Sequence, residues 1–380
     1  MTATPSPTAL SGLSADLDAL AAKGRLRGLI PNRGVDFASN DYLGFASHPA
    51  LAQAAQAALA RGVPIGSGGS RLLRGNHPEH EALEAEAAAF FGGESALFLP
   101  TGFTANSALL ATMPQRGDMI FHDRLIHASM HEGLRLTKAG HKRVAHNDVG
   151  AFADALAAWR NGGGMGTAWI VVESLYSMDG DCAPLAELSA LASAQGAMLV
   201  VDEAHATGIF GPGGRGMVTA LGARGPNVIT LHTCGKALGV EGALLVGPAV
   251  MREYLVNCAR GFIFSTAPSP LMAAVVRAAL RLCEGADETR ADLLARVDHA
   301  RAALAPFGAQ CHGSPILPLV LGGDVRTMAV ASALQNRGLD VRGIRPPTVP
   351  EGTARLRIVI TGHVGKPDIT ALATALGEVL

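Results

Sequence analysis

The sequence has few charged residues, few aromatic residues and almost no net charge. Charged side chains make up 17% of the 380 residues and aromatic ones 4%, and the formal net charge is −1. A chain without a basic surplus lacks the field that attracts nucleic acid or an anionic membrane surface. It also lacks an apolar run near the roughly 20 residues of a membrane span, and residues 1–13 lack the basic start and apolar core of a signal peptide. We therefore expect a soluble, cytoplasmic protein that binds neither nucleic acid nor membranes.

Cysteine is also scarce, and its spacing argues against two kinds of site. The five cysteines are odd in number and widely scattered, at Cys182, Cys234, Cys258, Cys283 and Cys311. This is neither a disulfide framework nor a metal-ligand spacing, so we expect no metal and a reducing compartment. Hydrophobic residues, in contrast, make up 48% of the chain. A chain of this length and composition can bury the core of one large α/β domain and a smaller second one.

Two apolar runs in the middle of the chain end on chemically reactive side chains. Residues 198–201 predict a buried strand that leads into Asp202, and residues 228–231 predict a second one that leads to Lys236. In open α/β sheets, ligands bind beyond the carboxyl ends of the strands. An Asp that pairs with a pyridinium nitrogen and a Lys that forms a Schiff base are the two groups that pyridoxal 5′-phosphate (PLP) requires. The pattern therefore predicts a PLP enzyme in which Lys236 carries the cofactor.

Each of these residues alone has a simpler interpretation. An Asp or a Lys at the end of a strand is usually a solvated terminus, and the run Asp-Glu-Ala-His at 202–205 also occurs in helicases. A helicase needs a phosphate-binding loop of the form Gly-x-x-x-x-Gly-Lys-Ser/Thr, and the sequence has none. The ordered combination is therefore more specific than any of its members.

Strands and helices alternate along most of the chain, which predicts a mostly parallel sheet. Further predicted strands are residues 95–99, 119–123 and 168–172. The turn at Gly102 places backbone N–H groups at a helix N-terminus, where a phosphate can bind. From about residue 306 the pattern changes to α+β. We expect three segments: an N-terminal segment (1–45), a large PLP-binding domain (46–285) and a small C-terminal domain (286–380).

Arginines near both ends of the chain are further candidates for binding. Residues 14–29 predict an amphipathic helix with Leu17 and Leu20 on one face. Arg25 and Arg27, towards its end, are interpreted as ordinary solvated cations. Near the C-terminus, strand alternation places Arg355 and Arg357 on the same face. Such a pair is usually solvated, but beside a PLP lysine one of the two could bind a substrate carboxylate.

Seven motifs, taken together, connect the chain to a known family. They are SNDYLG (39–44), GSGGSRLLRGN (66–76), HAS (127–129), SMDGDCAPL (177–185), VDEAHATGIFG (201–211), TCGKALG (233–239) and FIFST (262–266). With these motifs the chain resembles the α-oxoamine synthases, PLP-dependent acyl-CoA:amino acid acyltransferases. The resemblance runs from about Gly24 to the C-terminus. It implies the aspartate-aminotransferase fold, with a mostly parallel central sheet and a smaller α+β C-terminal domain.

The resemblance implies a cofactor site built from several of these motifs. Lys236 would bind PLP as a Schiff base, and Asp202 would pair with the pyridine nitrogen. His127 would stack on the ring, and His205 would hydrogen-bond its phenolic oxygen. The residues that would line the cofactor, chiefly around the phosphate, are Gly102, Phe103, Ser177 and Thr233. Thr266 would reach the phosphate of a neighbouring subunit, so the resemblance also implies a homodimer with shared active sites.

The resemblance implies substrate contacts as well. Arg357 would bind the amino-acid carboxylate, and Asn40 would approach the amino-acid end. Arg27 and Thr348 would contact the acyl substrate, with Arg25 as a near alternative to Arg27.

Two further segments narrow the substrates. AHNDV (145–149) and IRPPTVPEGTARLRI (344–358) resemble the family members that condense L-alanine with a pimeloyl thioester in biotin biosynthesis. The implied reaction releases CO2 and either CoA or acyl carrier protein, with Lys236 moving the α-proton and His127 polarising the keto group. Three alternatives stay open. They are a sister acyltransferase that uses glycine or serine, an aminotransferase, and a PLP-binding protein without activity.

Overall fold

The computed structural model describes residues 10–380. Its strands are β1 (Val35–Asp36), β2 (Ser95–Leu99), β3 (Met119–Asp123), β4 (Gly140–Val144), β5 (Ala168–Glu173), β6 (Met198–Asp202), β7 (Val228–Thr233), β8 (Ala243–Gly247), β9 (Ile316–Gly322), β10 (Leu339–Asp340), β11 (Arg342–Ile344) and β12 (Ala354–Val359). Its α-helices are α1 (Ser11–Ala22), α2 (Pro49–Ala60), α3 (Pro78–Phe91), α4 (Gly102–Thr112), α5 (Ala128–Leu136), α6 (Val149–Asn161), α7 (Leu185–Ala194), α8 (Met217–Ala220), α9 (Ala249–Cys258), α10 (Arg260–Ile263), α11 (Pro270–Glu284), α12 (Asp287–Leu304), α13 (Asp324–Gln335) and α14 (Lys366–Val379). Within this described range, no helix combines the length and the apolar character needed to cross a membrane.

These elements form two compact units. The large unit comprises Asn40–Leu294, and the small unit comprises the described part of Met1–Ser39 together with Ala295–Leu380. The domain boundaries expected from the sequence, after residues 45 and 285, stay predictions.

The large unit is built on a seven-stranded sheet in the order β2-β8-β7-β6-β5-β3-β4. The pairs β4–β3, β3–β5, β5–β6 and β6–β7 are parallel. β8 is antiparallel to both of its neighbours, so β2 runs in the same direction as β7. The expected mostly parallel sheet is thus confirmed, and every strand except β8 has its carboxyl end at one edge.

Both faces of this sheet are covered by helices, which explains the continuous apolar runs of its strands. Trp169 and Val171 of β5 pack in a core with residues of α4 and α5. The alternate residues Ile170 and Val172 pack on the other face, with residues of α6 and α7. Because side chains alternate along a strand, the last residue of β5, Glu173, lies on the α4–α5 face.

The small unit contains a three-stranded antiparallel sheet in the order β11-β12-β9. The helix α13 packs on its strands and against α14. A second, two-stranded sheet pairs β1 in parallel with β10, and so joins the N-terminal segment to the C-terminal part of the chain. The expected smaller α+β part is confirmed.

The structure corrects the prediction of a helix over residues 14–29. The helix α1 ends at Ala22, and Leu17 and Leu20 are 53% and 41% exposed, so this helix has no buried apolar face. Gly24 follows with a φ of 67°, a left-handed conformation that favours glycine and ends helices. Arg25 and Arg27 therefore lie in an irregular segment beyond the helix.

Candidate active site

The strand-end residues lie at one edge of the seven-stranded sheet. Asp123, Glu173 and Asp202 are the last residues of β3, β5 and β6, and Thr233 is the last of β7. Gly102 begins α4 shortly after β2 ends. Because these strands run in the same direction, the residues share the edge at which α/β sheets bind ligands.

Lys236 begins a chain of hydrogen bonds within the large unit. Its Nζ donates to His205 Nε2 at 2.7 Å, because an ammonium group has no acceptor. With Nε2 as the acceptor, His205 carries a proton at Nδ1 and donates it to Tyr42 Oη at 2.6 Å. Tyr42 in turn donates to Asn40 Oδ1 at 3.2 Å. This chain fixes the tautomer of His205 and the position of the lysine amine against it.

Asp202 is a buried carboxylate held by two hydrogen bonds. Its Oδ1 accepts the backbone N–H of Ala204 at 2.9 Å, and its Oδ2 accepts from Asn106 Nδ2 at 2.7 Å. A buried charge needs such partners because desolvation is costly. Asp202 and Lys236 both act electrostatically on His127, so the acid, the amine and the imidazole belong to one site.

His127 is the N-cap of α5, and its neighbours fix its tautomer. Its Nδ1 accepts the backbone N–H of Ser129 at 3.2 Å and lies 2.8 Å from Ser129 Oγ. Since a backbone N–H can only donate, the neutral ring carries its proton at Nε2. Partial burial lowers the pKa of His127; the negative charge of Asp202 opposes this effect and the positive charge of Lys236 adds to it. His127 is therefore a neutral hydrogen-bond donor through Nε2 at pH 7.

Glu173 places a second carboxyl group beside Asp202. The two residues are register partners on β5 and β6, and Glu173 is 2% exposed. Burial and the neighbouring Asp202 charge raise the pKa of Glu173 well above its usual range, although Lys236 and the backbone N–H of Ser177 act in the opposite direction. Glu173 is therefore harder to ionise than an exposed glutamate, and the neighbouring Asp202 charge is one cause.

The N-terminus of α4 provides an anion-binding position at the same edge. Thr101 caps the helix by accepting the N–H of Thr104 at 3.0 Å, and the backbone N–H groups of the first turn precede the helical hydrogen bonds. A Cβ built on Gly102 would lie 3.7 Å from Thr233 Oγ1, so the helix start and this hydroxyl are neighbours. Phe103 is half-exposed beside them.

These residues fit PLP. The site offers the Asp202 carboxylate for a pyridinium nitrogen, the Lys236 amine for an aldehyde and a helix N-terminus for a phosphate. His127 also keeps an exposed surface beside Asp202 and Lys236. The donor set therefore matches the three polar parts of the cofactor.

Other expected site residues lie on further segments of the large unit or in the small unit. In the large unit, the exposed Thr266 lies in the loop after α10. In the small unit, Arg27 Nη2 donates to Thr348 Oγ1 at 3.4 Å. Arg357 is a buried residue of β12, opposite Arg342 of β11.

Sequence reasoning missed Asn106 as a positioning residue. Its Nδ2 donates to Asp202 Oδ2 and, at 3.0 Å, to Ser129 Oγ, so one buried amide connects Asp202 with the residue that orients His127. The sequence does contain one indication of this role: Asn106 lies one helical turn after Gly102, on a helix that is otherwise rich in apolar residues.

Asn106→Ala should lower kcat about tenfold or more, because it removes a hydrogen bond to a buried charge. The pH profile of kcat should shift, since Asp202 and His127 lose their shared support. The matched control is Asn257→Ala, which removes an exposed asparagine of α9. An Asn106→Ala enzyme with unchanged kcat and pH profile would show that the amide is only structural.

The loop that carries Ser177 is held by a histidine between two aspartates. His146 Nδ1 lies 2.9 Å from Asp123 Oδ1, and its Nε2 lies 2.7 Å from Asp181 Oδ2. Burial alone would lower the pKa of His146, but the hydrogen bonds to Asp123 and Asp181 outweigh it and raise the pKa to about 9. The charged imidazole thus links the end of β3 to the loop after β5.

The pH dependence of the melting temperature should reveal the stabilisation that the charged His146 provides. Because the pKa of His146 is higher in the folded state, its stabilisation is fully present below about pH 6.5 and is lost as the pH rises towards about 9. The melting temperature of the native protein should therefore fall over this range more than that of His146→Gln. His299→Gln, at a partly exposed position of α12, is the control and should keep the native slope. Equal slopes for the native protein and His146→Gln would contradict the assignment.

Comparison with known proteins agrees with the geometry of the site. The model of the family "Aminotransferase class I and II" matches residues 32–376. An 8-amino-7-oxononanoate synthase of Burkholderia thailandensis is 45% identical over 350 residues, covering 90% of this chain and 88% of the relative.

Two solved structures are similar over most of the chain. A serine palmitoyltransferase from S. paucimobilis with a bound PLP–myriocin aldimine has a TM-score of 0.89 and 26% identity, covering 99% of this chain and 98% of the other. An 8-amino-7-oxononanoate synthase from Francisella tularensis has a TM-score of 0.78 and 26% identity, covering 91% and 97%. The chain therefore belongs to the class I and II aminotransferase family and, within it, to the 8-amino-7-oxononanoate synthase group of α-oxoamine synthases.

Proposed function

We propose that this chain is a PLP-dependent acyltransferase that condenses L-alanine with a pimeloyl thioester. The products are 8-amino-7-oxononanoate, an intermediate of biotin biosynthesis, CO2 and the free thiol of CoA or acyl carrier protein. One observation carries the proposal. The amine of Lys236, the carboxylate of Asp202 and the Nε2–H donor of His127 belong to one site, in a chain 45% identical to an enzyme named for this product.

PLP, when bound, supplies an electron sink for negative charge at the α-carbon of an amino acid. Lys236 and Asp202 would hold its aldehyde carbon and its pyridine nitrogen. His127 would pack on the ring, and His205 would bind its phenolic oxygen. The residues that would hold its phosphate are Gly102, Phe103, Ser177 and Thr233.

Lys236 and His127 move and direct protons in this reaction. Lys236 Nζ takes the α-proton of L-alanine and returns a proton to the product carbon. His205 Nε2 orients that amine through the 2.7 Å hydrogen bond. His127 Nε2 donates a hydrogen bond to the new keto oxygen, which favours loss of CO2 from the adjacent carboxylate. A positioned base of this kind contributes about 10²–10⁴-fold in rate.

Substrate contacts are proposed from the family resemblance. Asn40 would approach the amino acid, and the buried Arg357 would bind its carboxylate. Arg27 and Thr348 would contact the acyl group. Arg25 is a weaker candidate because Asp324 and Glu351 both bind its guanidinium group, at 2.5 Å each.

We also propose that the enzyme is a cytoplasmic homodimer in which Thr266 reaches the partner's phosphate. The segments around Gly69 and Ala267 are joined by a backbone hydrogen bond of 2.9 Å. Two large apolar side chains in these segments, Leu73 and Phe264, are 85% and 71% exposed. Exposed apolar side chains of this size favour an interface with a second copy. The cytoplasmic location is supported by the odd, scattered cysteines.

Thiol release from pimeloyl-CoA by the PLP-loaded protein tests this function. L-alanine, glycine and L-serine are supplied in parallel, and we expect release with L-alanine. Release only with glycine and a short acyl-CoA, or only with serine and a long one, would assign the chain to a sister acyltransferase. Amino transfer to a keto acid without thiol release would make it an aminotransferase.

A further inference from the structure

His232 is a fully buried residue of β7 that the proposed reaction does not use. Its ring stacks on Phe91, with the two ring centroids 3.6 Å apart. Its Nδ1 lies 2.8 Å from Thr207 Oγ1, and its Nε2 lies 2.8 Å from Thr230 Oγ1. Complete burial and the positive charge of Arg224 lower the pKa of His232 well below its usual range. The ring is therefore neutral at pH 7, so it donates through one nitrogen and accepts through the other.

The neighbours of His232 determine which nitrogen carries the proton. Thr207 has a single hydroxyl proton, which it donates to Glu203 O at 2.8 Å, because a carbonyl oxygen can only accept. His232 Nδ1 must therefore donate to Thr207 Oγ1, and its Nε2 accepts from the hydroxyl of Thr230. Arg224 Nη1 donates to Thr230 Oγ1 at 3.4 Å, in agreement with this direction. The hydrogen bonds thus run in one direction, from the arginine to the carbonyl of Glu203.

The hydrogen bonds of His232 join β7 to the turn that follows β6. Backbone pairing connects the two strands up to Glu203, whose N–H donates to Leu231 O at 2.8 Å. Beyond this point His232 continues the connection, because Thr207 belongs to the turn after Glu203. The N–H of Thr207 also donates to Glu203 O, at 2.8 Å, so this threonine closes the turn with both its backbone and its side chain. The position of the turn relative to β7 therefore depends on His232.

The reactive amine and its histidine partner lie on the two segments that His232 joins. Lys236 follows β7, and His205 lies inside the turn that Thr207 closes. Lys236 Nζ and His205 Nε2 are 2.7 Å apart. A shift of the turn against β7 changes this distance, and a hydrogen bond weakens steeply as its geometry worsens.

We propose that His232 is a positioning residue that holds His205 against Lys236 through the hydroxyl of Thr207. The donor at Nδ1 of His232 keeps the turn in place, and the turn keeps His205 Nε2 at the amine. His232 thereby sets both the direction in which the amine points and the protonation equilibrium of lysine-bound PLP. It acts through Thr207 and does not contact the reacting atoms. This inference rests on the proposed function, because it takes Lys236 to be the lysine that binds PLP.

Two substitutions of His232 separate positioning from packing. Asparagine offers an amide N–H near the place of the imidazole Nδ1, whereas glutamine reaches the place of Nε2. His232→Asn therefore keeps a donor to Thr207, and His232→Gln loses it. Both variants give up the stacking on Phe91 and should lower the melting temperature by similar amounts. A histidine with a purely structural role predicts that the two variants also agree in every other measurement.

The measurement that separates the two variants is the pH titration of the visible absorbance of lysine-bound PLP. We expect the midpoint for His232→Gln to differ from the native midpoint by about 0.5 pH unit or more, and the midpoint for His232→Asn to stay close to it. The kcat for thiol release should fall about tenfold in His232→Gln and change little in His232→Asn, because a displaced reacting group slows the chemical step.

The partner threonine provides a second pair of variants, which covers the case in which the His232 variants do not fold. Thr207→Val removes the hydroxyl at nearly constant volume and should reproduce the shift in midpoint and the loss of rate. Thr207→Ser keeps the hydroxyl and should behave like the native protein. Native midpoints in both His232→Gln and Thr207→Val would overturn the inference. The titration needs no turnover, so a native protein whose lysine-bound PLP titrates as expected, but which releases no thiol, would refute only the proposed function.

Discussion

Lys236→Ala should abolish turnover and the visible absorbance of lysine-bound PLP. On the proposed function, the variant would lose both the covalent attachment of the cofactor and the base that moves the α-proton. Each role raises the rate by orders of magnitude, so we expect kcat to fall by at least about 10⁴-fold. The loss should be specific to chemistry, because Asp202, His127 and the α4 N-terminus remain in place to bind the cofactor without a covalent bond. The measurement is thiol release together with the absorbance spectrum of the PLP-loaded protein.

A second lysine variant controls for the loss of a positive charge. Lys142 is an exposed residue of the edge strand β4, and Lys142→Ala should keep native turnover and spectrum. A Lys236→Ala protein that folds, binds PLP and still releases thiol at the native rate would remove the basis of the assigned site.

Asp202→Asn should give the second large loss, with a fall in kcat of about 10²–10³-fold. On the proposed function, the buried carboxylate would keep the pyridine nitrogen of PLP protonated, and only a protonated ring withdraws electrons effectively. Asparagine has nearly the same shape but no charge. It also offers one acceptor oxygen to the two donors, Ala204 N–H and Asn106 Nδ2, that Asp202 satisfies. The measurement is kcat for thiol release with saturating L-alanine, together with PLP affinity.

The control for Asp202→Asn is Asp154→Asn, which neutralises an exposed carboxylate on α6. It should leave kcat and PLP affinity unchanged. If Asp202→Asn kept native kcat, Asp202 would not be the anion that the pyridine nitrogen of the cofactor requires.

The strands that carry the site can be predicted from the sequence, because a strand buried on both faces is a continuous apolar run. The runs before Asp202 and Thr233 are continuously apolar, so their ends can be located without knowledge of tertiary structure. The strand β4 gives no such signal. Its first four residues, Gly-His-Lys-Arg at 140–143, are exposed at the edge of the sheet, and its pairing depends on β3 rather than on its own pattern.

Burial of polar groups is the other feature that the sequence conceals. Asn106 is an ordinary polar residue of a helix until α4 and β6 bring its amide to Asp202. Arg345 follows Ile344 in a proline-rich segment, where a solvated cation is the usual expectation. Its burial depends on Leu26 and Met328, which are distant in the chain. Short-range patterns hold no information about such partners, and the tertiary fold decides them.

The fate of the carbon atoms of L-alanine tests the proposed function most directly. PLP-loaded protein and pimeloyl-CoA are supplied with L-alanine labelled either at the carboxyl carbon or at the methyl carbon, and CO2, thiol and product mass are measured. We expect the carboxyl label in CO2, the methyl label in 8-amino-7-oxononanoate, and equal amounts of CO2, thiol and product. Pyruvate that retains both carbons, formed without thiol release, would contradict the assignment of this chain as a decarboxylating acyltransferase.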